Sequence, residues 1–143
     1  MLTKENYEKT INSYTKSDWE PLFELVPEIE KTTNFGEFRD GNKIGCNTTT
    51  MPYWEYSEIV QKFIKAVYDI PIIISFDWMS WEEGQQILKD DEFDYDTIDT
   101  PTKCKLITVI VRNDRFNDGY LIWAFRTNRI NKLLQSLKKD KTR

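Results

Sequence analysis

The sequence predicts a mainly α, single compact helical domain spanning residues 1–143, with at most a short strand or hairpin in segments 34–52 and 70–76. Three observations carry that reading. Apolar residues recur at helical spacing through most of the chain. Helix-start signals of the cap-and-proline kind recur with them. Hydrophobic residues make up 39% and aromatics 14% of the 143 residues, with Trp19, Trp54, Trp78, Trp81 and Trp123 spread along the length. That is enough apolar surface for one core and too short a chain for two.

Element by element, Tyr7, Ile11 and Tyr14 share a helical face following Thr3. Ser17-Asp18-Trp19-Glu20 reads as a capping box that opens a second helix, with Pro21 in its first turn. Leu22, Leu25, Val26 and Ile29 give this helix an apolar face, and Pro27 predicts a kink or restart near Val26. Residues 34–52 hold Gly36, Gly41 and Gly45, the run Asn47–Thr50, and Pro52. They read as an irregular loop with a short strand at Phe35–Phe38. Tyr56, Ile59, Val60, Phe63 and Val67 then mark an amphipathic helix capped near Ser57.

The run Ile70–Ile74 reads as extended. Asp77 is placed to cap a helix over Trp78–Lys89, with Trp81, Ile87 and Leu88 inward. Thr100-Pro101 opens a central helix carrying Cys104, Leu106, Ile107, Val109, Ile110 and Val111. Asn117-Asp118-Gly119 should end it through a left-handed glycine, and Phe116 should close the core. Leu121, Ile122 and Phe125, then Ile130, Leu133, Leu134 and Leu137, predict one or two closing helices before a basic tail at 138–143.

Charge is uneven along the chain. Residues 51–100 carry three basic against twelve acidic side chains, and residues 101–143 carry eleven basic against three acidic, within a net charge of −4. The acidic middle and basic end can attract each other inside the fold, or present opposite faces to partners. The acidic balance makes nucleic acid an unlikely primary ligand. No segment reads as a signal peptide or membrane span, and two lone thiols, Cys46 and Cys104, form no disulfide framework. The expected location is therefore cytoplasmic, with no membrane partner.

Histidine is absent, which removes the commonest general base and metal ligand. No phosphate-cradling glycine loop or nucleophile elbow occurs, so no catalytic residues, metal or cofactor are expected. A carboxylate enzyme would need Glu37, Asp77, Asp118, Arg112 and Arg115 to converge in one cleft.

The segments Phe35-Gly36-Glu37-Phe38, Met51-Pro52-Tyr53 with Tyr56-Ser57, Phe76-Asp77-Trp78 with Trp81, and Arg112-x-x-Arg115-Phe116-x-x-Gly119 resemble a small bacterial family known only as a domain of unknown function. The resemblance covers about residues 20–138. Its phrases run like F-G-E-W, M-P-Y-x-x-Y-S, F-D-W-x-x-W and R-A-D-R-F-C-E-G, and here Phe38 and Asn117 stand where tryptophan and cysteine are frequent. It implies a mainly helical fold and no assigned activity.

Two binding constellations remain. Arg112 and Arg115, three apart, would share a helix face and could grip an anionic metabolite or nucleotide, with Asp77, Trp78 and Trp81 as a wall and Asp114 and Asp118 close in sequence. Asp90, Asp91, Glu92, Asp94 and Asp96, interleaved with Phe93 and Tyr95, form an acidic, aromatic stretch suited to a protein partner. The expected function is a non-enzymatic binding protein, one form of which is a regulator or inhibitor encoded by a phage or mobile element. The alternative is an anion-binding module built on the two arginines.

Overall fold

The computed structural model describes residues 2–39, 43–44, 48–49 and 52–142. The middle of the expected loop, with Gly41, Gly45, Cys46, Asn47, Thr50 and Met51, lies outside them, as does Arg143 of the basic tail. The order is β1 (Leu2–Thr3), α1 (Tyr7–Ser13), α2 (Lys16–Phe23), α3 (Leu25–Lys31), β2 (Gly36–Arg39), β3 (Lys43–Ile44), β4 (Thr48–Thr49) and β5 (Tyr53–Tyr56). It continues with α4 (Glu58–Asp69), β6 (Ile74–Ser75), α5 (Glu82–Lys89), α6 (Thr100–Asn113), α7 (Tyr120–Arg126) and α8 (Arg129–Thr142). This is a compact, mainly α domain.

The helix α6 is the axis of the core. Leu106, Ile107, Val109 and Ile110 are buried, and the helix is packed by α1, α5, α7 and α8. Its cap is Asp99, whose carboxylate accepts from Thr102 N at 3.0 Å. Thr100 therefore sits one position inside the helix rather than capping it, and Pro101 follows in the first turn. Thr108, buried on α6, accepts from Ile74 N at 3.1 Å and donates to Cys104 O at 2.9 Å. That side chain satisfies a backbone donor of the isoleucine run, where β6 pairs parallel with β1 (Leu2↔Ile74, Thr3↔Ser75). The extended reading of 70–76 holds, and the strand at Leu2–Thr3 is an addition to the sequence expectation.

Other boundaries move for local reasons. The α2 capping box is made by Thr15 and Asp18, not from Ser17: Asp18 N donates to Thr15 Oγ1 at 3.3 Å, and Thr15 N to Asp18 Oδ2 at 2.8 Å. Pro21 consequently lies inside α2. The break between α2 and α3 falls at Glu24. A proline clashes with the carbonyl four residues earlier, so Pro27 acts at Phe23, one turn before the predicted kink. Trp78–Ser80 form a separate 3-10 turn with no side-chain cap from Asp77, and α5 begins only at Glu82. Trp81, expected inward, is half-buried at this junction and packs against the edge of the core.

Two strands, β2 and β5, form an antiparallel ribbon with Gly36↔Tyr56 and Phe38↔Trp54 in register. Tyr56 belongs to this ribbon, not to the helix that starts at Glu58. Strand alternation puts Gly36, Phe38, Trp54 and Tyr56 on one face and Glu37, Arg39, Tyr53 and Glu55 on the other. The second face is exposed and carries ion pairs from Arg39 to Glu37 (3.0 Å) and Glu55 (2.6 Å). The first face lies on α7, where Gly36 meets Ile122 and Trp54 meets Gly119.

Charged side chains also enter the interior. Lys103 on α6 is 0% exposed, and its amine meets Asp140 on α8 at 2.6 Å and Ser136 O at 3.4 Å. Arg129, at 3% exposure, donates to Leu88 O at 2.6 Å and pairs with Asp91. Burial removes water from these cations, and each is retained with a carboxylate and a carbonyl in reach. Cys104 is fully buried, and desolvation pushes its thiol well above its ordinary range, so it is unreactive at neutral pH.

Candidate functional site

Parts of the segments that carry the family resemblance, with Gly36, Phe38, Tyr56 and Trp78 among them, come together where α6 gives way to α7. α6 ends at Asn113, and a turn over 114–119 leads into α7. Gly119 has φ +85°, and a Cβ there would come within 2.7 Å of the Trp54 indole, so both its conformation and its lack of side chain are required. Gly119 begins α7 rather than ending α6, which corrects its expected place.

Asp114 is half-buried beneath this turn. Its Oδ1 accepts from Leu121 N at 3.0 Å, and its Oδ2 accepts from the phenol of Tyr56. Burial raises the Asp114 pKa above the usual carboxylate range. The charge of Asp118 acts in the same sense, and N–H donors from Leu121, Gly119 and Tyr120 oppose it. Arg126 fixes the ribbon from the other side by donating to Gly36 O at 3.1 Å, with its guanidinium 5.5 Å from the Trp54 ring.

Over this polar base runs a band of aromatic rings. Phe38 meets Trp54 edge-on at 5.6 Å, and Tyr120 meets Trp123 at 5.1 Å. Phe116 meets Trp78 at 6.0 Å. Phe116 is 70% exposed and Phe38 51%, so Phe116 does not close the core as expected: third in the turn that follows α6, it faces outward. Asn117, Asp118, Gly119, Tyr120 and Trp123 line an open depression of about 310 Å³ within the band.

Among the residues singled out from sequence, Trp78, Asp114, Arg115 and Asp118 belong to this region or its rim. Arg112 is half-buried in the last turn of α6, and Arg115 is exposed in the turn that follows, where its backbone N–H donates to Arg112 O at 3.3 Å. Asp77 is exposed ahead of the 3-10 turn. Trp81 packs instead on Phe76 and Lys105, and Lys105 lies about 10 Å down α6 from Arg112 by helical rise. Glu37 is on the opposite face of the ribbon from Tyr56, paired with Arg39, so the carboxylate cleft of an enzyme is not assembled.

The acidic stretch is largely engaged within the fold. Asp91 pairs with Arg129, and its carbonyl accepts from Lys132 at 3.1 Å. Asp96 accepts from Ser136 and from Lys139 at 2.9 Å. Asp94 caps the turn at Asp96 N, and Asp90 accepts from Glu92 N, both at 3.0 Å. Glu92 stays exposed. The attraction between acidic middle and basic end is thus internal, with α8 as the basic partner.

Sequence reasoning missed Trp54, Arg126 and Trp123 as parts of the band, and Tyr56 as the partner of Asp114. Period-2 alternation over 53–56 was the signal available for the first and last of these. Among the described residues no group of three or more acidic, cysteine or histidine side chains is placed to hold a metal, and no helix is long and apolar enough to cross a membrane. No curated protein and no solved structure matches the chain. The chain belongs to DUF6508, a family of unknown function whose model matches residues 14–142.

Proposed function

We propose that this domain is a non-enzymatic binding protein that engages a protein partner through the aromatic band of Phe38, Trp54, Phe116, Tyr120 and Trp123, with Arg115 and Asp118 at its rim. The observation that carries the reading is the exposure of Phe116 and Phe38 on a surface drawn from three separate segments. Leaving such rings in water costs roughly 1.5–3 kcal/mol per side chain that burial would recover. Exposed Phe and Trp with a half-buried Tyr beside Arg is a composition enriched at protein interfaces. Their support is rigid: the Tyr56–Asp114 and Arg126–Gly36 hydrogen bonds hold the ribbon to α7 before any partner arrives. A cytoplasmic regulator or inhibitor fits this chemistry. Because Asp91 and Asp96 already have partners, the acidic stretch contributes less than the aromatic band.

The anion-binding alternative is weaker, since Trp81 packs on Phe76 and Lys105 instead of walling the two arginines, and nucleic acid is disfavoured by the net charge of −4. The test compares the full chain with Phe38→Ser/Phe116→Ser, both shown to melt alike, as baits in a lysate of a bacterial host at physiological salt. The proposal expects one protein retained by the parent and lost from the double variant. Identical recovery on both baits, or specific recovery on neither, overturns it. Thermal stabilisation by nucleotides or phosphorylated metabolites would transfer the assignment to the alternative.

A further inference from the structure

Away from the aromatic band, Lys105 on α6 points its amine between two rings, 4.3 Å from the centre of Trp81 and 4.9 Å from that of Phe76. The rings meet each other edge-on at 5.8 Å. Gly84 makes this seat possible, because any Cβ there would overlap the Trp81 indole. Among the described residues no hydrogen bond or ion pair reaches the amine. It opens on a cavity of about 310 Å³ lined by Lys4, Glu5, Tyr7, Glu8, Phe76 and Lys105. A lysine with no acceptor and two apolar walls has lost part of the hydration that keeps surface lysines protonated. Burial lowers its pKa, against the opposing fields of Glu83, Glu8 and Asp99 and alongside that of Lys4. The cavity is of the size that takes one small ring.

We propose that Lys105 is a covalent capture site for small carbonyl compounds with an apolar or aromatic body, forming an imine in the Phe76–Trp81 seat. The neutral amine attacks the carbonyl carbon, and the carbonyl oxygen takes up a proton to give a carbinolamine. Loss of that oxygen as water, with the nitrogen's remaining proton, leaves the carbon–nitrogen double bond. Desolvation of this kind is how lysine nucleophiles are prepared for imine chemistry. The rings attract the ammonium by about 0.5–2 kcal/mol and so act against the neutral amine, in opposition to desolvation; the product recovers that attraction when the imine nitrogen takes up a proton over the same two rings. Tyr7, whose hydroxyl donates to Glu8 at 3.2 Å, lines the same cavity.

The experiment treats the full chain with limiting benzaldehyde and cyanoborohydride across a pH series, and maps the reduced adducts by peptide mass spectrometry. Lys105 is expected to carry the largest share of label at neutral pH, with a labelling midpoint at lower pH than the exposed Lys9 and Lys31. In Trp81→Leu, shown to be folded by its melting curve, the Lys105 share should fall to that of the exposed lysines. Labelling of Lys105 no greater than Lys9 or Lys31 overturns the proposal. An unchanged preference in Trp81→Leu overturns it too, because the aromatic seat would then not be the cause.

Discussion

The phenol of Tyr56 hydrogen-bonds the carboxylate of Asp114, tying the end of the β2–β5 ribbon to the turn that starts α7, across 58 positions of sequence. Tyr56→Phe removes that donor and leaves the half-buried carboxylate with backbone donors alone. The expected loss is about 1–3 kcal/mol, read as a lower denaturation midpoint with an unchanged slope.

The same carboxylate gives a pH signature. Its folded pKa is raised, so the folded state holds its proton more tightly than the unfolded chain does. Its contribution is complete below the unfolded pKa and lost as pH rises through the folded one. Asp114→Asn keeps one oxygen to accept from Leu121 N, turns its amide N–H2 towards the Tyr56 phenol oxygen, and carries no titrating charge. The difference in melting temperature, variant minus parent, should therefore grow more favourable to the variant from pH 3 towards 7. A flat difference would contradict the assignment. Asp96 runs the other way: hydrogen bonds from Ser136 and Lys139 lower its pKa, so its contribution is present at neutral pH and lost on acidification.

The helices were legible because α4 buries one periodic face and α6 is apolar on most sides behind its Thr100-Pro101 start, and both signals are local. Tyr56 was absorbed into the α4 pattern because its spacing to Ile59, Val60 and Phe63 is also helical, while only its pairing with Gly36 reveals a strand. Nothing in the local sequence pattern marks Lys103 and Arg129 as buried. Their burial depends on Asp140 and Asp91, which come into place only when α8 packs. Phe116 failed in the opposite sense, because an apolar residue after a helix normally continues its core face, and here the chain has already turned. The candidate site was half visible: its phrases could be quoted, but not the contacts between them.

Both glycines of the site should resist substitution, for different reasons. Gly119→Ala meets a positive φ and the Trp54 ring, at a cost of roughly 1 kcal/mol or more. Gly36→Ala is strained by the Glu55 carbonyl oxygen, 2.8 Å from the added carbon, and by Ile122. Backbone yields less readily than an indole, so Gly36→Ala should melt lower than Gly119→Ala.

The buried pair between α6 and α8 yields the sharpest stability test, because its two halves predict opposite outcomes. Lys103 is fully enclosed, and Asp140 keeps 17% of its surface exposed. Removing the carboxylate alone, by Asp140→Ala, leaves an ammonium without its counter-charge in a dry environment and frees the Thr100 hydroxyl from its 2.8 Å bond. Such a change costs about 3–5 kcal/mol. Removing the charge first alters the result: Lys103→Met fills similar volume with apolar atoms, and replacing buried ions by hydrophobes is often neutral or stabilising. In the Lys103→Met background, Asp140→Ala should then cost far less than in the parent, since no stranded cation remains. A double-mutant cycle by denaturant melting measures that coupling directly. Additive losses would show that the pair between Lys103 and Asp140 adds no coupling to the docking of α8, whose apolar face of Leu133, Leu134 and Leu137 is buried in any case.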